Sequence, residues 1–370
     1  MRPGPRCVAP LAPLAPLAAL VLVVCPGPKA PDIPPCGPDT LATAPLLDML
    51  DITAVGPMGG VDPWRGQVFP NEALSFFIRP VDPRLPQGET ARVPVVAPAR
   101  LWLQLARHTG SPDEFIVSFR TCADVSWTLK HLAVGSPIVE ALSNSEQATP
   151  SGGGTSFSVG TNAGIEVAAG TELGLAGGSN NLSLDVSTFD FRSPPVMFAN
   201  GLQERFTCPL ESFDPAIADA LRPLLGTPDG RRRTAQPSCG EYMQDVRDTA
   251  QGIWQDDTNS TRFALVHDSV DPELAVISVS AYGESHRWRF PPTHSGNVNR
   301  DFGEVTHDGT PYCYDASSGG DLPSIVLVEV EGPNRLLFEI QDATACGTGP
   351  WTFHLPYGFS FVRGFPGGGL

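Results

Sequence analysis

The sequence predicts an all-β protein of two domains, and three observations carry that prediction. Pro (39) and Gly (38) make up about a fifth of the 370 residues. They interrupt helices throughout, because Pro removes a backbone donor and Gly adds entropy cost. Short runs of alternating apolar and polar residues recur between these breaks, and a period of two marks half-buried strands. The length favours two domains over one, and a hydrophobic content of 41% with 19 Phe and 6 Trp is enough to fill two cores.

Export is expected from the first residues. Arg2 and Arg6 precede an apolar run, Leu17 to Val24, which ends at Cys25-Pro26. A basic start and a short apolar stretch fit a signal peptide over 1–25, whereas a spanning helix needs about 20 apolar residues. Cys25 stands where a lipoprotein cysteine would, but Val24 replaces the usual small residue, so plain secretion or a periplasmic location is preferred to a lipid anchor. Residues 26–46 are Pro-rich and read as an extended linker. No later segment is long and apolar enough to span a membrane in the mature chain.

Six cysteines remain beyond the leader: Cys36, Cys122, Cys208, Cys239, Cys313 and Cys346. An even number in an exported chain points to disulfides. The preferred pairs are Cys208–Cys239 and Cys313–Cys346, which leaves Cys36–Cys122 by elimination. No cysteine or histidine spacing matches a structural zinc site, and no cofactor is expected.

The first domain is placed at 47–200. Its candidate strands are 93–108, 113–122, 125–132 and 182–191, with a Gly-x-x-x-Gly hairpin at Gly170–Gly174 inside 164–178 and a flexible loop at 148–154. A helical connector at 201–239 starts a helix at Pro215, with Ile217, Leu221, Leu224 and Leu225 on one face. The second domain, 240–370, offers candidate strands at 262–270, 274–282, 286–292, 304–315, 324–332 and 335–343. Asp308-Gly309 and Gly332-Pro333-Asn334 mark tight turns between them. Short strands with such turns form an antiparallel barrel or sandwich.

The order of local motifs in the first domain is informative. VPVVAPARLWLQL (93–105) is followed by Lys130-His131-Leu132, then VAAGTELGLAGG (167–178), then a strand around Asp185. Over roughly 50–195 this order resembles the lysostaphin-like zinc endopeptidases, secreted enzymes that cut peptidoglycan on a duplicated hybrid β fold. The resemblance implies zinc held by a His-x-x-x-Asp motif and by the second His of a His-x-His motif. At the matching places this chain has Gln67, Asn71, Glu72 and Ala73, and then Ser183 and Asp185. Neither place contains a histidine. Only His131 matches a family histidine, one that supports the reaction without binding zinc. The resemblance therefore implies a degenerate relative with no catalytic and no metal-binding residues. His131, Ser183 and Asp185 would line a remnant groove.

In the second half, the segments around Cys208, Cys239, Gly252-Ile253-Trp254, Val266-His267-Asp268 and Gly296 to Phe302 resemble the C-terminal part of bacterial envelope proteins that carry such a peptidase-like domain in front. That resemblance assigns no activity. Gly252-x-Trp254 also resembles a lipocalin entry motif. His267, His286, His294 and His307 have no pairwise metal spacing, so solvated or hydrogen-bonded roles are expected for them. Asn299, Arg300 and Asp301 form a polar cluster that either pairs internally or presents a binding edge.

The formal charge of −16 repels phosphate and excludes a nucleic-acid partner. No Gly-x-Ser-x-Gly elbow or phosphate loop is present. The expectation is a non-catalytic exported envelope protein that binds peptidoglycan or an envelope protein. The alternatives are a zinc-dependent peptidoglycan endopeptidase and a carrier of small hydrophobic ligands.

Overall fold

The computed structural model describes residues 33–38, 41–62, 67–82, 89–108, 114–133, 148–151, 156–159, 165–178, 182–193, 196–197, 203–256, 261–281, 284–315, 324–354 and 359–363. The expected signal peptide lies outside them. The chain is all-β, and among the described residues, of which the strands below are counted, the named strands pair antiparallel. Fourteen strands come first: β1 (Ile52–Gly56), β2 (Leu74–Ile78), β3 (Val93–Val96), β4 (Leu101–His108), β5 (Glu114–Cys122), β6 (Val125–Ala133), β7 (Ala148–Ser151), β8 (Ser156–Val159), β9 (Ile165–Val167), β10 (Glu172–Ala176), β11 (Ser183–Asp190), β12 (Val196–Met197), β13 (Gln203–Glu204) and β14 (Phe206–Thr207). Twelve of them form one sheet with the path β1-β2-β11-β6-β5-β4-β8-β7. β10 bridges β3 and β6, β9 pairs β4, and β14 pairs β11.

Alternation in the sequence sets the two faces of this sheet. Leu74 and Phe76 of β2, Leu184 and Val186 of β11, Trp127 and Leu129 of β6, and Val117 and Phe119 of β5 all point into one core. Trp127 is fully buried, stacked on Phe119 and met edge-on by Phe213. The intervening residues, Ser75, Asp185, Lys130, Ser118 and Thr128, fall on the opposite face. The hydroxyls of Ser118 and Thr128 meet there at 3.0 Å.

Three local expectations change. The run 93–108 is two strands, because Pro98 lies in the break between β3 and β4. Ala148–Ser151, expected as loop, pairs with β8. The described part of the Pro-rich stretch is fastened to the sheet. The Ala123 N–H donates to the Pro34 carbonyl, and Ala42 and Leu46 are buried in the core.

The connector contains helix α1 (Pro215–Leu221), capped by the Asp214 carboxylate accepting the Ala216 N–H at 2.9 Å. The second sheet has eight strands: β15 (Gly252–Gln255), β16 (Arg262–His267), β17 (Ala275–Ala281), β18 (Glu284–Phe290), β19 (Tyr312–Asp315), β20 (Ser324–Gly332), β21 (Arg335–Asp342) and β22 (Phe359–Arg363). Their order is β18-β17-β16-β15-β22-β21-β20-β19. The sheet curls until its edges share a core, and Phe290 of β18 meets Tyr314 of β19 at 5.6 Å between ring centroids. Segment 293–300 lies along the outer edge of β19 through the Val298–Cys313 bridge. Residues 304–315, expected as one strand, divide into a turn and β19. Asp308 and Gly309 lie in the part that turns.

Aromatic rings fill the interior of this half-barrel. Phe263 stacks on Phe338 at 4.2 Å and meets Phe361 at 4.7 Å, with Trp254, Trp288 and Phe302 in the same cluster. Among the described residues, these side chains pack into one buried cluster.

Three disulfides among the described residues join Cys36 to Cys122, Cys208 to Cys239, and Cys313 to Cys346; the last two are the pairs preferred from the sequence, and the first is the one left by elimination. The two sheets meet through Val68 and Phe69 on one side and Ile253, Ala264, Val266 and Val276 on the other. Arg233 and Arg287 reach across this junction to the carbonyls of Ser269 and Val61.

Candidate functional site

Strands β2, β11, β6 and β5 lie side by side and bring their polar faces together at one end. Asp185 of β11 stands opposite Ser75 of β2 on one side and opposite Lys130 of β6 on the other. Strict alternation would then turn His131 inward. Instead, two residues of β6, Lys130 and His131, oppose one residue of β5, and His131 adopts a left-handed backbone with φ 71°. This β-bulge turns two consecutive side chains onto the same polar face. A left-handed backbone at a non-glycine residue costs on the order of 1 kcal/mol, and the cluster it builds offsets that cost.

The His131 ring lies between two carboxylates. Nδ1 is 2.5 Å from Glu114 Oε1, and Nε2 is 3.4 Å from Asp185 Oδ2. Ser183 Oγ donates to Asp185 Oδ1 at 3.3 Å, and Ser75 and Lys130 also stabilise the Asp185 carboxylate. Lys130 forms an ion pair with Glu72. Asn71 Nδ2 reaches Ser75 Oγ at 3.4 Å, and Asn71 Oδ1 accepts the Ala73 N–H.

Both histidine nitrogens face groups that can only accept, so the imidazolium is the form that satisfies both contacts. Burial opposes that charge, but the hydrogen bonds and charges of Asp185 and Glu114 outweigh it, and the His131 pKa is raised. Burial likewise opposes ionisation of Asp185, and His131, Ser75 and Lys130 reverse it, so the Asp185 pKa is lowered. The cluster sets three carboxylates (Glu72, Glu114, Asp185) against two cations.

This donor set does not fit the zinc implied by the sequence resemblance. Zinc needs a neutral imidazole with a free lone pair, whereas both nitrogens of His131 are engaged and Lys130 adds a further positive charge beside Asp185. Among the described residues, no group of three or more His, Cys, Asp or Glu is arranged to hold a metal ion.

No protein-family model matches this chain, and no curated protein matches it. Among solved structures, the chain is similar to lysostaphin. The NMR solution structure of that protein aligns at 11% identity and a TM-score of 0.26, covering 66% of this chain and 86% of that one.

The structure brings together the three residues expected to line a groove: Asp185 contacts both His131 and Ser183. Sequence reasoning missed Ser75, Glu114 and Lys130 as members of the cluster. Ser75 is four residues after Asn71, the spacing of the motif sought there, and that was the available signal. Asp190 lies apart and pairs with Arg192 at 2.7 Å.

The Asn299-Arg300-Asp301 cluster belongs to the second sheet and is used internally. Asn299 Nδ2 donates to Asp315 Oδ1 at 2.7 Å, Arg300 pairs with Glu304 at 2.7 Å, and Asp301 lies 3.4 Å from His267. Of the remaining histidines in this half, His286 packs on Trp288, and His294 bonds Glu304 at 2.8 Å.

Proposed function

We propose that the protein is a non-catalytic exported protein that binds cell-wall peptidoglycan or an envelope partner through the polar face around His131, Ser183 and Asp185. The observation that carries this reading is the saturation of His131 by Glu114 and Asp185. An imidazolium between two carboxylates has no lone pair with which to take a proton or hold a metal. Ser183 and Lys130 sit at its margin as partly exposed donors. Three disulfides fit an exported protein, and no helix among the described residues is long and apolar enough to cross a membrane. The motif order resembling lysostaphin-like endopeptidases supports cell-wall material as the ligand class.

Two measurements on the full chain test this function. Elemental analysis together with a peptidoglycan hydrolysis assay is expected to find neither stoichiometric zinc nor cleavage. Both together would establish the endopeptidase reading. Co-sedimentation with purified peptidoglycan is expected for the wild type and is lost in Asp185→Ala. Unchanged binding by a folded Asp185→Ala protein would remove the groove from the function.

A further inference from the structure

The second sheet contains another histidine whose two ring nitrogens both face acceptors. His267 ends β16. Its Nδ1 lies 2.7 Å from the Pro272 carbonyl, and its Nε2 lies 3.4 Å from Asp301 Oδ2. A carbonyl accepts only, so Nδ1 carries a proton in every state that keeps this bond. In the neutral ring, the Nε2 lone pair would then point at a carboxylate. The contact with Asp301 is attractive only when the ring is doubly protonated.

Asp301 in turn controls a plug. Its Oδ1 accepts the Gly303 N–H at 2.9 Å and caps the turn Phe302–Glu304. Phe302 is fully buried, at 5.9 Å from Phe290 and 5.1 Å from Tyr314. It fills the place where the two edges of the curled sheet come together. Val305 closes the same end, because its carbonyl accepts the Ala250 N–H at 2.9 Å. Ala250 in turn accepts the indole N–H of Trp254.

We propose that His267 is a proton-operated clasp that holds the turn Asp301–Val305 in the end of the half-barrel and loosens it when the ring becomes neutral. The charged groups around it agree with this role. Asp301 faces it directly, and Glu241 adds a second negative charge from the connector side. Asp268, next in the chain, is engaged by Arg289 at 3.1 Å. On the plug segment, His294 and Arg300 both pair with Glu304, and the charge of His294 also acts on Asp301, less strongly than that of His267. The hydrogen bond to Asp301 raises the His267 pKa against the effect of burial. Loosening would expose the aromatic interior at one end of the half-barrel as pH rises.

Hydrogen exchange of the full-length protein, read over residues 293–305 and corrected for the intrinsic pH effect, tests the clasp from pH 5.5 to 8.5. The His267 ring is titrated in parallel by NMR. In the wild type, protection is expected to fall with the same midpoint as His267. His267→Gln should show low protection with no pH dependence. Asp301→Asn is a milder variant that keeps an oxygen for the Gly303 cap, and it should move the midpoint to lower pH. Protection that stays flat across the His267 titration would overturn the clasp. So would a pH dependence that survives in His267→Gln or disappears in His294→Gln.

Discussion

His131 and Asp185 meet at 3.4 Å although the strand register places Lys130, not His131, opposite Asp185. The bulge in β6 makes this possible by giving one carboxylate two cationic neighbours that are consecutive in the chain. His131 and Asp185 each favour the charged form of the other.

Asp185→Asn removes one of the two negative charges that favour the His131 imidazolium. The His131 titration midpoint, followed by NMR, is expected to move down toward the ordinary value of 6.5. Glu114→Gln should act in the same direction. A midpoint that does not move in either variant would show that the ring is not held by these carboxylates.

The sign of the stability profile follows from linkage. The His131 pKa is raised on folding, so its contribution is complete below 6.5 and is lost as pH rises through the folded value. The Asp185 pKa is depressed, so its contribution is complete above 3.8 and is lost as pH falls through the folded value. The cluster therefore stabilises most between those two values. Urea unfolding should show a larger gap between wild type and His131→Gln at pH 5.5 than at pH 8.5, and equal gaps would refute the assignment.

Gly252→Ala tests the closed end of the half-barrel. A Cβ at this position, where φ is 142°, would stand 1.8 Å from Asp245 Oδ1 and 2.8 Å from an Arg363 nitrogen. Asp245 and Arg363 form a buried pair at 3.7 Å, and Arg363 lies 4.3 Å over the Trp254 ring. Breaking such a pair costs about 3–5 kcal/mol. A loss of this size is expected for Gly252→Ala and for Arg363→Met by urea unfolding, with the double variant well short of the sum.

The disulfides should differ in weight. Cys36 and Cys122 are 86 residues apart, and Cys313 and Cys346 are 33 apart. Chain entropy assigns the longer loop about 1 kcal/mol more stabilisation. Paired Cys→Ala variants, compared by urea midpoint, should rank in that order.

Legibility in the sequence followed the range of the forces involved. Glu114–Cys122 is visible as an alternating run because one face is core, and Ser324–Gly332 as a continuous apolar run because its first five residues are buried on both faces. Gly332-Pro333-Asn334 was visible as a turn, and it joins β20 to β21 through the Gly332–Arg335 pair. Short strands such as β1 and β22 depend on partners far away in the chain and left little local trace. Of the cluster, His131, Ser183 and Asp185 could be grouped by motif order. Lys130 falls on the polar face by plain alternation, but Glu114 could not be grouped, because the bulge that turns His131 toward it rests on a left-handed histidine, and no local residue preference announces one.

The pairing of β22 with β15 places the carboxyl-terminal strand of the half-barrel against its first, and Arg363 bonds the carbonyls of Thr249 and Gln251 more than a hundred residues earlier. Synthesis adds about 5–20 residues per second, so Trp254 emerges several seconds before the strand that covers it. Throughout that interval the aromatic interior is open and Arg363 is not yet present beside Asp245. Nascent chains halted before residue 359 should therefore be the form of this protein most dependent on chaperones.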